Sequence, residues 1–129
     1  MSSVPSWQLD KMLSQSRSFA SYHLHKQGCI ILHIDPPLPD NYGIDIVALK
    51  DDVLHFVMVK SVFLDNPDFV LLPESRYSEE RVRRSVEAYS LVYSSSSMRK
   101  VVDFIGVVFR KNGDSEHYLQ QHDNVFPLD

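Results

Sequence analysis

Apolar positions along the chain change period several times, and each change marks an element. Between residues 6 and 27, Leu9, Met12, Leu13, Phe19, Ala20 and Leu24 fall on one helical face. Ser6 follows Pro5 as an N-cap, and Gly28 stands where a left-handed residue ends a helix. His23, His25 and Lys26 put positive charge at the C-terminal end of the helix dipole. The polar run Ser14-Gln15-Ser16-Arg17-Ser18 weakens the first half. Residues 1–15 are therefore read as an N-terminal extension that either joins this helix at Ser6 or precedes a start near Ser16, and residues 16–129 as one domain.

Residues 29–34 are a short apolar run, expected to be a buried strand. Pro36, Pro37 and Pro39 then exclude regular structure, since proline removes a donor and fixes φ. Two runs rich in β-branched residues follow, Gly43-Ile44-Asp45-Ile46-Val47-Ala48-Leu49 and Val53-Leu54-His55-Phe56-Val57-Met58-Val59-Lys60, on either side of the polar Lys50-Asp51-Asp52. This is the strongest hairpin signal in the chain. The second run extends toward Phe63, a turn follows at 64–68, and the apolar residues 69–72 fit no element.

Ser78 caps a helix that carries Glu79 and Glu80 in its first turn and Val82, Val86, Tyr89 and Tyr93 on one face. Ser94 to Ser97 ends it. Residues 101–109 form a long strand with one acid, Asp103, inside it. Lys111-Asn112-Gly113-Asp114 has hairpin-turn chemistry, and a last strand covers 117–121. The order α-β-β-β-α-β-β predicts an α/β domain whose mixed central sheet is flanked by helices.

Composition narrows the function classes. With 129 residues, 43% of them hydrophobic and 23% charged, the chain can bury the core of one domain without staples. No stretch approaches the roughly 20 apolar residues of a membrane helix, and the first residues lack the basic start and apolar core of a signal peptide. Cys29 has no second cysteine to pair with. These features lead us to expect a cytoplasmic protein.

The net charge of -4 argues against coating nucleic acid by bulk charge. A local basic patch stays open, because fields are screened over about 8–10 Å. Arg76, Arg81, Arg84, Arg99 and Lys100, with Arg83, form the best phosphate-facing set, and Tyr77, Tyr89 and Tyr93 add stacking surfaces. The six histidines show no metal-ligand spacing, and the four glycines form no phosphate loop. Charges inside apolar strands need partners or a task. Asp45 in the first hairpin run and Lys60 at the end of the second are the leading candidates.

These residues resemble a known family. Gly43-Ile44-Asp45-Ile46-Val47-Ala48, a short turn and Phe56-Val57-Met58-Val59-Lys60 look like the core of the YraN family, small bacterial proteins with a restriction-endonuclease-like fold. The family reads Gly-Glu-Ile-Asp-Leu-Ile-Ala and then Phe-Val-Glu-Val-Lys. Ala20 to Gly28, Val102-Asp103-Phe104 and Asp123-Asn124-Val125-Phe126 are similar to further family segments in the same order.

The resemblance implies a single restriction-endonuclease-like domain. In that group an acid and a Glu-x-Lys pair hold Mg²⁺ against a phosphodiester. Here Asp45 and Lys60 remain, Met58 stands at the glutamate position, Gly43 replaces another acid, and Arg17 stands at the first helix's glutamate. A thioether does not suit Mg²⁺.

The resemblance therefore implies a nucleic-acid-associated protein with a degenerate, non-cleaving site and no cofactor, bound to DNA or RNA. Lys60 and the arginines would meet phosphates, and Asp45 would be the remnant acid and sole metal ligand. Two alternatives stay open. One is an active metal-dependent endonuclease that recruits a relocated glutamate from Glu74, Glu79, Glu80 or Glu87. The other is a protein-interaction module without nucleic-acid binding. On structural grounds alone, Asp45 pairs with Lys60, Met58 fills core, and Asp103 bonds loop or backbone donors.

Overall fold

A computed structural model describes residues 6–63, 79–93, 97–109, 117–126 and 128. Their elements run α1 (Ser6–Lys26), β1 (Ile30–Ile34), β2 (Ile46–Lys50), β3 (Val53–Phe63), α2 (Glu79–Val92), β4 (Arg99–Phe109) and β5 (His117–His122). The apolar 69–72 segment, the cap at Ser78 and the turn at 111–114 lie outside the described residues.

The five strands form one mixed sheet in the order β1-β2-β3-β4-β5. β1 and β2 pair antiparallel, as do β2 and β3, and β4 and β5, whereas β3 and β4 pair parallel. Strand side chains alternate between faces, and here the alternation separates two cores. Val57 and Val59 of β3 pack with Ala20 and Leu24 of α1, Ile46, Ala48, Ile105 and Val107. Leu54, Phe56 and Met58 pack with Val82, Val86 and Tyr89 of α2, Val47, Val102 and Phe104. The two helices thus cover opposite faces of the sheet, giving three layers. No helix among the described residues is long and apolar enough to cross a membrane.

α1 is continuous over 21 residues, so the boundary drawn at 15/16 falls inside it. Its end is a Schellman motif: the Cys29 N–H bonds the Leu24 carbonyl at 3.0 Å and the Gly28 N–H bonds that of His25 at 3.0 Å. Gly28 sits at φ 93°, where a side chain would be strained.

β1 corrects the expectation of a buried strand. It lies at the sheet edge, with Ile30 61%, Leu32 41% and Ile34 49% exposed. Its composition is apolar because Ile31 still packs on the α1-side core. A register shift between Ile31 and His33 then turns His33 to face Tyr89 of α2.

The β2–β3 connection is a two-residue turn with both Asp51 (φ 51°) and Asp52 (φ 63°) left-handed. That geometry matches the twist of the strands but suits Asn-Gly better than two adjacent aspartates. Replacing Asp51-Asp52 by Asn-Gly is expected to raise stability by about 1 kcal/mol, read as a higher urea midpoint with an unchanged slope.

Candidate functional site

Asp45 sits immediately before β2, where that strand's pairing with β3 stops at Ile46↔Val57. Its N–H still donates to the Val57 carbonyl at 2.9 Å, and its own carbonyl accepts the Asp35 N–H at 2.7 Å. The side chain continues the sheet: Oδ2 accepts the Val59 N–H at 2.7 Å. A backbone donor beyond the end of β2 is thereby satisfied by a carboxylate instead of a strand carbonyl.

The other oxygen belongs to α1. Arg17 donates to Asp45 Oδ1 through Nε at 3.0 Å and Nη2 at 2.9 Å. The same Nη2 lies 3.9 Å from Asp35 Oδ1, so one guanidinium serves two carboxylates. One residue earlier, Ser16 is fully buried and accepts a hydrogen bond from Ser61 Oγ of β3 at 2.5 Å. Burial pushes the Asp45 carboxyl above the usual carboxylate range, and the Val59 N–H and Arg17 pull it back only in part.

The remaining motif residues point elsewhere. Met58 is 1% exposed and fills the core under α2. Lys60 follows it by two and shares that face by strand alternation, half-buried. The ion pair that Asp45 makes is thus with Arg17 of α1, in place of the pairing with Lys60 that the sequence suggested.

The structure divides the basic set between two flanks of α2. Arg81 and Arg84 line a groove against residues 38–42, and the Arg81 guanidinium lies 4.1 Å from the centroid of the Tyr42 ring. Arg83 and Lys100 line the opposite flank with Glu87 and Leu128. Arg99 is exposed at the start of β4. Arg84 also pairs with Glu80 at 2.5 Å, with both side chains largely exposed. Arg76, Glu74 and Tyr77 lie outside the described residues.

Two polar pairs join residues that nothing in the sequence connects. Asp103 is 1% exposed; it accepts from His55 Nδ1 at 2.6 Å and from the Asn124 N–H at 2.9 Å. The Asn124 N–H is a backbone donor of the kind that the acid's place in an apolar strand suggested. His33 Nδ1 bonds the Tyr89 hydroxyl at 2.8 Å, beneath a Tyr93 ring whose centroid is 4.6 Å from that of His33. The β3–β4 register brings His55 to Asp103 across 48 residues, and the docking of α2 on the sheet brings Tyr89 to His33 across 56. Cys29 is buried, and burial pushes its thiol up, as for inert core.

No protein-family model matches the chain, and no curated protein matches it. Among the described residues, no group of three or more His, Cys, Asp or Glu side chains is placed to hold a metal ion.

Two outcomes follow for the acids. An acid with a raised folded-state pKa favours folding most below its ordinary pKa, and that contribution is lost as pH rises through the raised value. The wild-type urea midpoint should therefore fall across the window just above the ordinary aspartate range. Asp45→Asn keeps an acceptor for Val59 and should flatten the curve there. Asp103→Ala strands the His55 ring nitrogen and the Asn124 N–H, and is expected to cost about 3 kcal/mol in denaturant unfolding.

Proposed function

We propose that the chain is a restriction-endonuclease-like domain that has exchanged phosphodiester cleavage for nucleic-acid association. The observation that carries the loss of cleavage is the Arg17 guanidinium on Asp45. A divalent cation would need that carboxylate together with others. Here a permanent organic cation takes it, and the strand position that would supply a second oxygen ligand is the buried Met58. Among the described residues, those around Asp45 do not make a set that fits Mg²⁺. An α-β-β-β-α-β-β order with a parallel β3–β4 pair supports the fold half of the proposal.

The binding half rests on Arg83 of α2 with Lys100 of β4 on one flank of the helix, Arg81 and Arg84 on the other, and Arg99 exposed at the start of β4. Glu79, Glu80 and Glu87 balance the three helix arginines one for one. Only the two β4 residues tip the surface positive, so contacts are few and the affinity is modest. With three or four phosphates met, log K should fall with log salt at a slope of about −2 to −3 on a single strand.

A second reading has its own observation. Leu91 is 78%, Val92 62% and Tyr93 37% exposed at the end of α2, beside His33 of the β1 edge. An apolar surface of this kind suits a protein partner.

Anisotropy titrations with labelled single-stranded DNA, duplex DNA and RNA test the proposal. Salt-steep binding, weakened about tenfold by Lys100→Glu or Arg83→Glu, is the expected result, together with no cleavage in Mg²⁺ or Mn²⁺. Absence of binding at low salt would overturn the association and favour the protein partner. Cleavage abolished by Asp45→Ala would restore the nuclease.

A further inference from the structure

The groove on the Arg81 flank of α2 has a volume of about 440 Å³ and is lined by Leu38, Asp40, Asn41, Tyr42, Arg84 and Ser85 among others. That volume is in the range that takes a single small organic group and is too small for a helix or a duplex.

One wall is unusually fixed for a loop. Pro36, Pro37 and Pro39 limit its freedom. The Leu38 N–H bonds the Pro36 carbonyl at 2.8 Å, and Asn41 Nδ2 bonds the Ile44 carbonyl at 2.7 Å. The Tyr42 N–H then donates to Ser85 Oγ at 2.9 Å, and Ser85 in turn donates to the Arg81 carbonyl of α2. Loop and helix are thus tied at the point where the Tyr42 ring meets the Arg81 guanidinium. A ligand entering here finds its walls already ordered, which removes part of the entropy cost of binding.

The chemistry on those walls is specific. The Arg81 guanidinium over the Tyr42 ring sets a cation and an aromatic ring side by side, groups on which a base can stack by cation–π and π contact. Arg84 stands one helical turn on, and its pair with Glu80 is exposed at 70% and 74%, so it is held weakly and can turn to a phosphate. Asp40 is the carboxylate on the lining and opposes an anion.

We propose that this groove holds one unstacked nucleotide of a single-stranded nucleic acid, with the base on the Arg81–Tyr42 surface and a phosphate at Arg84. The proposal rests on the nucleic-acid association argued above and adds to it a site and a preference. Bases in a duplex are stacked on each other and cannot reach such a surface, so single strands should bind more tightly than a duplex of the same sequence.

Anisotropy titrations of the full chain with labelled oligo-dT, and with the same strand annealed to oligo-dA, decide it. Tyr42→Ala and Arg84→Glu should each weaken single-strand binding about tenfold. Tyr42→Phe should keep it, which separates loss of the ring from loss of the fold. Asp40→Asn should tighten binding several-fold, a gain that a purely structural role for the loop would not produce. Single-strand binding unchanged by Tyr42→Ala and Asp40→Asn, but lost in Lys100→Glu, would overturn the groove and leave nucleic-acid association standing. No binding of either strand form by the wild type at low salt would remove both.

Discussion

The parallel ladder between β3 and β4 constrains everything else. It runs from Val53↔Arg99 to Phe63↔Phe109, the full length of both 11-residue strands. Parallel strands cannot be joined by a tight turn, so the chain must cross a face of the sheet to return. α2 lies on that crossing and covers one face. A parallel pair also needs its other face covered, and α1 does this through Ala20 and Leu24. The consequence is visible in β4, where residues 102–109 are buried without a break. A charge in such a strand must be satisfied inside the protein. Asp103 meets that demand with His55 from β3 and the Asn124 N–H, fixing the C-terminal turn against the end of the sheet.

Asp45 answers a different demand at the other side of the central strand. β2 is shorter than β3, so β3 continues past its neighbour with backbone groups to satisfy. One carboxylate oxygen caps Val59, and the other is drawn to α1 by Arg17. The arrangement ties the middle of a long helix to the sheet, and Ser16–Ser61 adds a neighbouring tie. A buried ion pair of this kind is weak evidence for net stability, because desolvation offsets most of the Coulomb attraction. What it does provide is register: α1 can meet β3 with Ser16 at Ser61 and Arg17 at Asp45 in one position only. In the proposed ancestry, the same carboxylate that once held a cation now holds a helix.

Local chemistry made several elements legible. The β-branched runs around Lys50-Asp51-Asp52 read as the hairpin they form, and the period of Val82, Val86 and Tyr89 as the buried face of α2. The edge position of β1 was not legible. An apolar run in sequence does not say whether it sits in the middle of a sheet or at its rim, and Ile30, Leu32 and Ile34 are exposed because the sheet ends there. The continuity of α1 through the serine-rich 14–18 segment was equally hidden, because a tertiary tie at Ser16 and Arg17 outweighs weak intrinsic propensity. Within the site, strand alternation placed Met58 and Lys60 on one face as expected. It could not show that Asp45, outside the regular strand, would turn to the other side. Arg17 became meaningful only once α1, which carries it, was folded over Asp45, 28 residues away in sequence.

α2 links these constraints to the surface. Its buried stripe is dictated by the core beneath the β3–β4 crossover, and the helix has no freedom to rotate about that stripe. Its two polar flanks are therefore fixed in direction as firmly as its apolar one. Arg81 and Arg84 are committed to the proline-rich loop, and Arg83 to Lys100 and the chain's end. A net charge of -4 spread over the molecule says little about either flank, since fields beyond about 8–10 Å are screened. What matters is which cations the core's geometry sets beside an aromatic ring and away from compensating acids. The Arg81–Tyr42 surface meets the first condition. The Asp45 carboxylate meets neither, because its cation is already Arg17. The surfaces the core holds ready for the proposed association are accordingly the flanks of α2, while Asp45 and Arg17 hold α1 in place.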